Sequence, residues 1–261
     1  MTLPHRVRDA DPLAPVTATL RAMFGTDALP ALAPGLLVAD EAGWRPATEL
    51  TSGDRLDELL DAAKQQWGAA PHAAAALAWK SYTYWLALPP VLGWASARRV
   101  PLLDPDSVLF RFDGPGRLLT FGLRRTMPVA VLPTDPLALA GSRAVRVVAD
   151  EAALLTVFRE SLLDAHLTPL LGAIQTRVRI GARTLLGSVS SCVAHAILRA
   201  ADVLPGSSAE HIGTLLDALG VEDLIDLVPD ASGQLTVQRK TCCLAFTLPQ
   251  PKICTGCCIK P

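Results

Sequence analysis

Apolar side chains recur with helical spacing at several places in the first 90 residues. A short helix is predicted over Pro15–Phe24. Ser52 is a suitable N-cap for a second helix that ends near Trp67. Pro71 can occupy the first turn of a third helix, because proline lacks the N–H that is unpaired at that position. The proline pair that follows Leu88 should end this third helix, since proline removes a hydrogen bond from a helix interior.

The pattern changes to short β-type runs after residue 100. These runs are separated by glycine- and proline-containing stretches, which are typical of turns. The predicted strands are Val108–Phe112, Arg117–Leu123, Val129–Leu132 and Ala144–Val148. We expect them to form a small antiparallel sheet.

Helical spacing returns at Asp150 and continues to residue 220. Thr168 and Pro169 look like the cap and first position of a new helix. Ser207 and Glu210 form a capping box, and Gly220 is a typical residue for the end of that helix. Within this region, Cys192 lies on an apolar stripe whose other members are Leu185, Val189, Val193, Ala196 and Ile197.

The fold class predicted from these patterns is α+β, mostly helical, with a small antiparallel sheet and a C-terminal cofactor-binding segment. After a turn at Pro229–Gly233, an alternating pattern predicts a strand over Gln234–Arg239. We divide the chain into an α+β domain, residues 1–233, and a C-terminal metal-binding segment, residues 234–261.

Composition narrows the function classes. Half of the 261 residues are apolar and 19% are charged, which is typical of a globular protein. The net charge of −1 argues against non-specific nucleic-acid binding, which needs an excess of lysine and arginine. The apolar stretches Ala73–Trp79 and Trp85–Ala97 are too short for a membrane span. Because the first residues contain no apolar signal-peptide core, we expect a cytoplasmic protein.

Five of the six cysteines fall in the last 20 residues. Clustered thiols in a reducing compartment are more typical of metal ligation or redox chemistry than of a disulfide framework. Gly256 allows a tight turn in Cys254-Thr-Gly-Cys257, so that both thiolates can face one centre. Together with Cys242 and Cys243 these residues supply four thiolates, as a zinc ion or a [2Fe–2S] cluster requires.

The spacing alone leaves both metals open. Adjacent cysteines on a regular strand point to opposite faces, so Cys242 and Cys243 can share a site only where the backbone is irregular. A cluster relaxes that demand because it distributes its ligands over two irons. From residue 239 to the end of the sequence there are four cations and no acidic side chain, which suits an anionic thiolate site. A zinc site with four thiolates is anionic as well.

The order Arg239-x-x-Cys242-Cys243-Leu244, followed by the complete Cys-Cys-x10-Cys-x2-Cys spacing, resembles that of the FhuF-like ferric siderophore reductases. The resemblance implies that Cys242, Cys243, Cys254 and Cys257 bind a [2Fe–2S] cluster. It also implies a substrate, a ferric siderophore that is often a hydroxamate, whose Fe³⁺ accepts one electron. Two positions depart from the family pattern: Cys258 stands where proline is frequent, and Leu186 stands where tryptophan is expected before Gly187.

Electrons should come from a separate donor protein, such as a ferredoxin or a flavodoxin-type reductase. The sequence contains neither a dinucleotide-binding glycine motif nor a phosphate-binding loop. One electron suffices because the hard oxygen ligands of a siderophore bind Fe³⁺ much more tightly than Fe²⁺. The expected enzyme class is therefore oxidoreductase, with no catalytic residues besides the cluster ligands.

Several other residues have two interpretations. The aromatic residues between positions 79 and 94 form either a ligand pocket or, more commonly, part of the core. Arg239 and Lys240 could steer an anionic complex or balance the thiolates. Cys192 is expected to be a buried thiol, His195 a solvated histidine and Cys258 a free thiol. His166 could face the cluster region or simply pack.

A second hypothesis belongs to a different class of protein. A zinc ion held by the same thiols would give a siderophore-binding or biosynthesis accessory protein without redox activity. The upstream helices are also similar to the C-terminal part of siderophore synthetases.

Overall fold

The computed structural model of the chain describes residues 10–26, 29–112, 114 and 118–259. Nine α-helices lie within these ranges, and the fold class is α+β, as predicted. They are α1 (Ala14–Phe24), α2 (Thr48–Thr51), α3 (Leu56–Trp67), α4 (Pro71–Ala97), α5 (Pro136–Leu139), α6 (Glu151–Arg159), α7 (Thr168–Arg177), α8 (Ala182–Arg199) and α9 (Ser208–Leu219). Part of predicted strand Arg117–Leu123 lies outside the described residues.

The strands form two mixed sheets and a hairpin. They are β1 (Leu32–Leu37), β2 (Arg45–Pro46), β3 (Arg99–Pro101), β4 (Val108–Arg111), β5 (Thr120–Leu123), β6 (Val129–Val131), β7 (Val145–Val147), β8 (Ile225–Pro229) and β9 (Leu235–Arg239). One sheet has the order β1-β5-β4-β2 and the other the order β3-β6-β7. The four predicted strands are present, but β4 and β5 lie in one sheet and β6 and β7 lie in the other. Strands β1 and β3, from outside the predicted region, pair with β5 and β6 respectively. Two of the pairings, β1 with β5 and β6 with β7, are parallel.

Helix α4 forms the centre of the core. It does not stop at Leu88: it continues through the proline pair to Ala97, and Leu86–Ala95 are all buried. The lost hydrogen bonds are offset by apolar contacts on every side of this segment, so packing overrides the helix-breaking effect of proline. Trp79 ties α4 to α8, since its indole Nε1 donates to the Leu185 carbonyl at 2.7 Å.

Residues 151–177 form one continuous helical run. Between α6 and α7 the chain adopts a π-helix over Glu160–Leu167. An α-helix does begin at Thr168 with Pro169 in its first turn, as predicted, but Thr168 has helical backbone angles and does not cap it. The wider π-turns pass directly into α7, and no cap is needed there.

The predicted helix caps have mixed outcomes. Ser207 accepts a hydrogen bond from the Glu210 N–H, and Gly220 ends α9 in a left-handed conformation, which confirms both predictions. Ser52 instead ends the short helix α2, and α3 begins at Leu56. Ser52 follows the last residue of α2 and therefore does not cap α3.

The C-terminal hairpin leads into the cysteine segment. Strand β9 pairs antiparallel with β8 over five residues, from Ile225 opposite Arg239 to Pro229 opposite Leu235. The pairing continues one step further, because the Lys240 N–H donates to the Leu224 carbonyl. Position 233, the predicted boundary between domain and segment, lies in the turn of this hairpin, so residues on its two sides pair with each other. Among the described residues, none of the helices has the length and apolar character that a membrane crossing requires.

Candidate metal centre and adjoining cavity

The five C-terminal cysteines follow β9 and all are free thiols. Cys243 and Cys257 are buried, whereas Cys242, Cys254 and Cys258 are partly exposed. The backbone around Cys242 and Cys243 is irregular, and Leu244 adopts a left-handed conformation with φ of 62°. The Leu244 N–H donates to the Cys242 Sγ at 3.3 Å. The irregular backbone is the condition under which two adjacent cysteines can serve one site.

The turn between Cys254 and Cys257 is held against β9 by main-chain hydrogen bonds. The Arg239 N–H donates to the Gly256 carbonyl at 2.9 Å, and the Cys257 N–H donates to the Cys254 carbonyl at 3.2 Å. The approach is so close that a Cβ on Gly256 would lie 1.6 Å from the Val237 carbonyl oxygen. Only glycine fits this turn, for a steric reason.

The thiols lie near one another in overlapping pairs. Burial raises the pKa of Cys254, and the neighbouring Cys243 and Cys257 thiols raise it further. Burial likewise raises the pKa of Cys258, with further contributions from Cys242 and Cys257. In the described chain, no three His, Cys, Asp or Glu side chains converge with the geometry of a metal site. The structure thus gathers the predicted ligands in one place without convergence on a single point.

The chemistry of the donor set fits a cluster. A [2Fe–2S] cluster takes two thiolates at each iron, so it needs four thiols in one neighbourhood. Cys242, Cys243, Cys254 and Cys257 provide them on two arms of one short segment. The N–H donated to Cys242 Sγ is the kind of contact that stabilises a thiolate.

Arg239 is a buried cation next to these thiols. Its side chain is 3% exposed; Nε donates to the Thr241 carbonyl at 3.2 Å and Nη2 to the Ser188 hydroxyl at 3.1 Å. Its Nη1 has no partner, and no ion pair joins it to a carboxylate of the described chain. Burial of a charge without a counter-ion is costly, so this guanidinium favours an anionic group beside it. Its charge also acts to lower the pKa of Cys254 and Cys258, against the larger effect of burial.

The cysteine segment docks on α8 through a second close contact. A Cβ on Gly187 would lie 1.9 Å from the Thr241 Oγ1. Gly187 therefore leaves the space that Thr241 occupies, directly before the first predicted ligand. Leu186, which departs from the family pattern, precedes this contact.

A cavity of about 570 Å³ lies between α4, α8 and the cysteine segment. Cys243 and Cys254 form part of its wall. Its apolar surface comes mainly from Trp67, Leu77, Trp85, Leu248 and Ile253. The predicted ligands and an apolar cavity are thus immediate neighbours.

Polar residues complete the cavity lining. Lys80, Arg199 and Lys252 lie on it, together with His195. His195 keeps an exposed edge, as predicted, but Ser188 and Ser191 of the same helix face are buried. The burial of Ser188 has a reason, since its hydroxyl accepts a hydrogen bond from Arg239.

The aromatic residues of α4 divide between the core and the cavity. Trp79, Tyr82 and Trp94 are buried in the core, whereas Tyr84 and Trp85 line the cavity. The two interpretations of this stretch therefore apply to different residues. A helix turns by about 100° per residue, so neighbours in sequence face different surroundings.

Cys192 is buried, as predicted, and His166 is buried as well, so the packing alternative applies to it. The Cys192 Sγ lies 3.6 Å from the Thr83 Oγ1, and burial raises the pKa of this thiol. Cys192 also touches the cavity. His166 packs in the core, with Nε2 2.6 Å from the Tyr82 hydroxyl.

The cavity cations are the functional candidates that the sequence did not reveal. Lys80, Arg199 and Lys252 are separated by more than 50 residues from one another in the chain. No local motif could have joined them. Only the packing of α4 against α8, with the cysteine segment across both, brings them together.

Comparison with known proteins supplies a family. A family model described as ferric iron reductase FhuF-like transporter matches residues 77–220, which is more than half of the chain. The match begins in α4 and ends with α9, so it includes the helices that form the cavity and stops before the cysteine segment. No protein in a curated collection matches the chain.

Proposed function

Because this chain belongs to the family of FhuF-like ferric iron reductases, we propose that it reduces Fe³⁺ held in a siderophore. We propose further that the electron comes from a [2Fe–2S] cluster bound by Cys242, Cys243, Cys254 and Cys257. Release of Fe²⁺ then serves iron assimilation, since oxygen-rich siderophores hold Fe²⁺ weakly.

One observation carries this proposal. Two of the four predicted ligands, Cys243 and Cys254, line a cavity of about 570 Å³. A ferric complex that enters this cavity comes into contact with the residues that would hold the cluster. Such contact is what electron transfer over a short distance needs.

The surrounding residues suit a charged cofactor. When bound, a [2Fe–2S] cluster supplies a centre that accepts and gives up one electron. Arg239 supplies a buried positive charge, and Gly256 and Gly187 let the cysteine segment approach β9 and α8 closely. Leu248 and Ala245 cover the buried Cys243 on the protein side. These residues hold the thiols in a partly dry, positively charged environment.

The electron donor is proposed to be a separate cytoplasmic protein, such as a ferredoxin or a flavodoxin-type reductase. Neither a glycine-rich dinucleotide motif nor a phosphate-binding loop is present in the sequence. We therefore propose that a separate partner delivers the electron.

The test begins with the metal content of anaerobically purified protein. We expect two irons and two sulfides per chain, visible absorption, and a rhombic paramagnetic signal after reduction. With a chemical reductant and a ferric siderophore, capture of Fe²⁺ by ferrozine should follow. Cys254→Ser should abolish the colour, while Cys192→Ser, a control thiol outside the cysteine segment, should retain the iron.

A colourless protein that contains stoichiometric zinc would contradict the proposal. It would favour the zinc-stapled binding or biosynthesis accessory protein instead. If the protein contains iron but ferrozine captures no Fe²⁺, the result would support the proposed cluster and contradict the proposed reductase activity.

A further inference from the structure

The thiols of the cysteine segment lie in two different surroundings. Among the five described thiols, only Cys243 and Cys254 belong to the wall of the cavity. Cys242 and Cys258 are partly exposed without lining it, and Cys257 is buried. The segment therefore has thiols on two accessible sides, one inside the cavity and one on the outer surface.

The electrostatic contacts between the thiols follow the same division. Besides burial, the group that most raises the pKa of Cys254 is Cys243, whereas for Cys258 it is Cys242. Cys257 acts on both, so it connects the two pairs. The residues that would hold the cluster thus extend without a gap from the cavity to the outer surface.

Exposed apolar residues adjoin the outer pair of thiols. Seven large apolar side chains are exposed in the described chain, and three of them lie within residues 246–259. Ile253 is one of these and lines the cavity, whereas Phe246 and Ile259 do not line it. We name Cys242, Phe246, Cys258 and Ile259 the outer face. Exposed apolar side chains that are concentrated in one segment are typical of a contact surface for another protein.

The charge around the outer face indicates the kind of partner. Residues 239–261 contain four cations and no acidic side chain. Lys240 stands two positions before Cys242, and its Nζ lies 2.7 Å from the Asp226 Oδ1. Both side chains of this pair are exposed, so the pair is weak and the lysine can exchange its partner. An acidic protein surface would be complementary to this region.

We infer that an acidic electron-carrier protein docks on the outer face while the ferric complex occupies the cavity. The inference rests on the proposed function, since it takes the cavity as the place of the ferric complex. The reduced carrier loses one electron at the outer face, and Fe³⁺ in the cavity gains one, so no atom or proton is transferred. Because the two partners use different sides of the thiols, they bind at the same time.

Simultaneous binding can be measured with partners that exchange no electron. An acidic [2Fe–2S] ferredoxin in its oxidised form serves as the carrier, and a gallium tris-hydroxamate serves as the cavity ligand, since Ga³⁺ is not reduced under these conditions. Calorimetric titration of the anaerobically purified protein would give the Kd of ferredoxin with and without a saturating gallium complex. We expect the two values to agree within about twofold, and both to rise with ionic strength.

Two exposed isoleucines of the same segment provide a matched pair of variants. Ile259 belongs to the outer face and is 45% exposed, whereas Ile253 lines the cavity and is 60% exposed. Ile259→Glu should weaken ferredoxin binding by at least about tenfold, because it removes an apolar contact and repels an acidic partner. Ile253→Glu makes the same chemical change and should alter ferredoxin binding by less than about threefold.

Phe246→Glu is a second variant of the outer face, and it should act on ferredoxin binding as Ile259→Glu does. Iron analysis and circular dichroism of each variant would verify that the thiol site and the fold are retained.

Electron entry is a further readout that separates docking from the properties of the thiol site. Stopped-flow mixing of reduced ferredoxin with the oxidised protein, without any siderophore, would follow this step alone. Ile259→Glu should slow it at least about tenfold. Reduction of the same variant by dithionite, a small reductant that needs no docking surface, should be unchanged.

Failure of either partner to bind, competition between ferredoxin and the gallium complex, or equal weakening of ferredoxin binding by Ile253→Glu and Ile259→Glu would overturn the inference. The iron content of the same preparation keeps this result apart from the proposed function. Protein that contains iron and binds the two partners in competition would remain a reductase with one shared face. Protein with zinc in place of iron would contradict the reductase proposal whatever the binding result.

Discussion

Arg239 is the residue that most directly connects the protein interior with the thiols. It is almost fully buried, one of its nitrogens has no partner, and no carboxylate of the described chain neutralises it. In a stable fold such a charge needs an anion nearby. The thiolate site is the group that could provide it.

Substitution of Arg239 by glutamine should therefore affect the cofactor more than the fold. We expect the reduction potential of the proposed cluster to fall. Reduction adds a negative charge, and in this variant no buried cation stabilises that charge. Iron retention should fall as well. Arg239→Lys should restore most of the potential, since the charge is kept although the hydrogen bond to Ser188 is altered.

A redox titration followed by visible absorption would measure this effect. Arg183→Gln is the control, because Arg183 is an exposed arginine that pairs with Asp223 at 2.8 Å. An unchanged potential in Arg239→Gln would show that the guanidinium serves only the fold.

Cys257 and Cys258 are the two candidates for the fourth ligand of the proposed cluster. Cys257 is 6% exposed and close to Cys254, whereas Cys258 is partly exposed and close to Cys242. We expect Cys257→Ser to lose iron and Cys258→Ser to keep it. Iron and sulfide analysis of both variants decides the matter, and the reverse result would assign the ligand to Cys258.

Residue chemistry was predictable where it depends on local sequence. The thiols, the buried Cys192 and the Ser207 cap could all be assigned from neighbours within a few positions. The partnership of Arg239 with Ser188 and the cavity position of Lys252 could not. Each depends on residues about 50 or more positions away that meet only after folding.

At the level of elements, the junction between β9 and the thiol turn is the most demanding contact. Gly256 approaches the Val237 carbonyl so closely that any side chain must push the turn away from the strand. The Arg239 N–H to Gly256 carbonyl bond would break in that event.

Gly256→Ala should consequently lose iron even though alanine changes neither charge nor thiol number. Gly213→Ala is a matched control, because a Cβ on Gly213 in α9 meets nothing within 4 Å. That control should keep its iron and gain up to about 1 kcal/mol of stability from better helix propensity. Iron analysis and thermal unfolding of the two variants make the comparison, and normal iron content in Gly256→Ala would contradict the steric argument.

The positions of helices and strands were predicted better than the pairing of the strands, for a physical reason. The helix at Ser208–Leu219 shows its spacing and both terminal residues within one local window, and the helix at Leu56–Trp67 shows its spacing and its end there. The continuation of α4 past Leu88 depends on burial from all sides, which a local pattern of prolines does not express. Strand partners such as Leu32–Leu37 come from distant segments, so the division into two sheets follows from tertiary packing.

At the level of the whole molecule, His166 joins three parts of the core. Its Nδ1 lies 2.8 Å from the Leu103 carbonyl, which can only accept, so Nδ1 carries the proton. Nε2 then accepts from the Tyr82 hydroxyl. Burial lowers the pKa of His166 to about 4, and its hydrogen bond to Leu103 opposes that shift.

The stability of the fold should decrease in acid because of this histidine. In the unfolded chain a histidine binds a proton below pH 6.5, whereas folded His166 stays neutral until about pH 4. Its contribution is complete above pH 6.5 and is lost as the pH falls towards 4. The linkage amounts to about 2 kcal/mol by pH 5.

Urea unfolding at pH 7.5 and pH 5 would measure this loss. His166→Gln should be less stable at pH 7.5, and the difference from the unchanged protein should shrink by about 2 kcal/mol at pH 5. His72→Gln, at an exposed position near the start of α4, is the matched control substitution. A difference that does not vary between these pH values would mean that folding leaves the proton affinity of His166 unchanged.

Main-chain hydrogen bonds hold the turns of the cysteine segment, and this has an evolutionary consequence. The Lys252 N–H bonds to the Ala245 carbonyl and the Arg239 N–H to the Gly256 carbonyl, so these links are indifferent to most side chains. Lys252 and Ile253, which face the cavity, are exposed. Relatives could exchange these two side chains under selection for a new iron source while the thiol scaffold is inherited unchanged. Under the proposed function, substrate choice and electron transfer would thus be separable traits in this architecture.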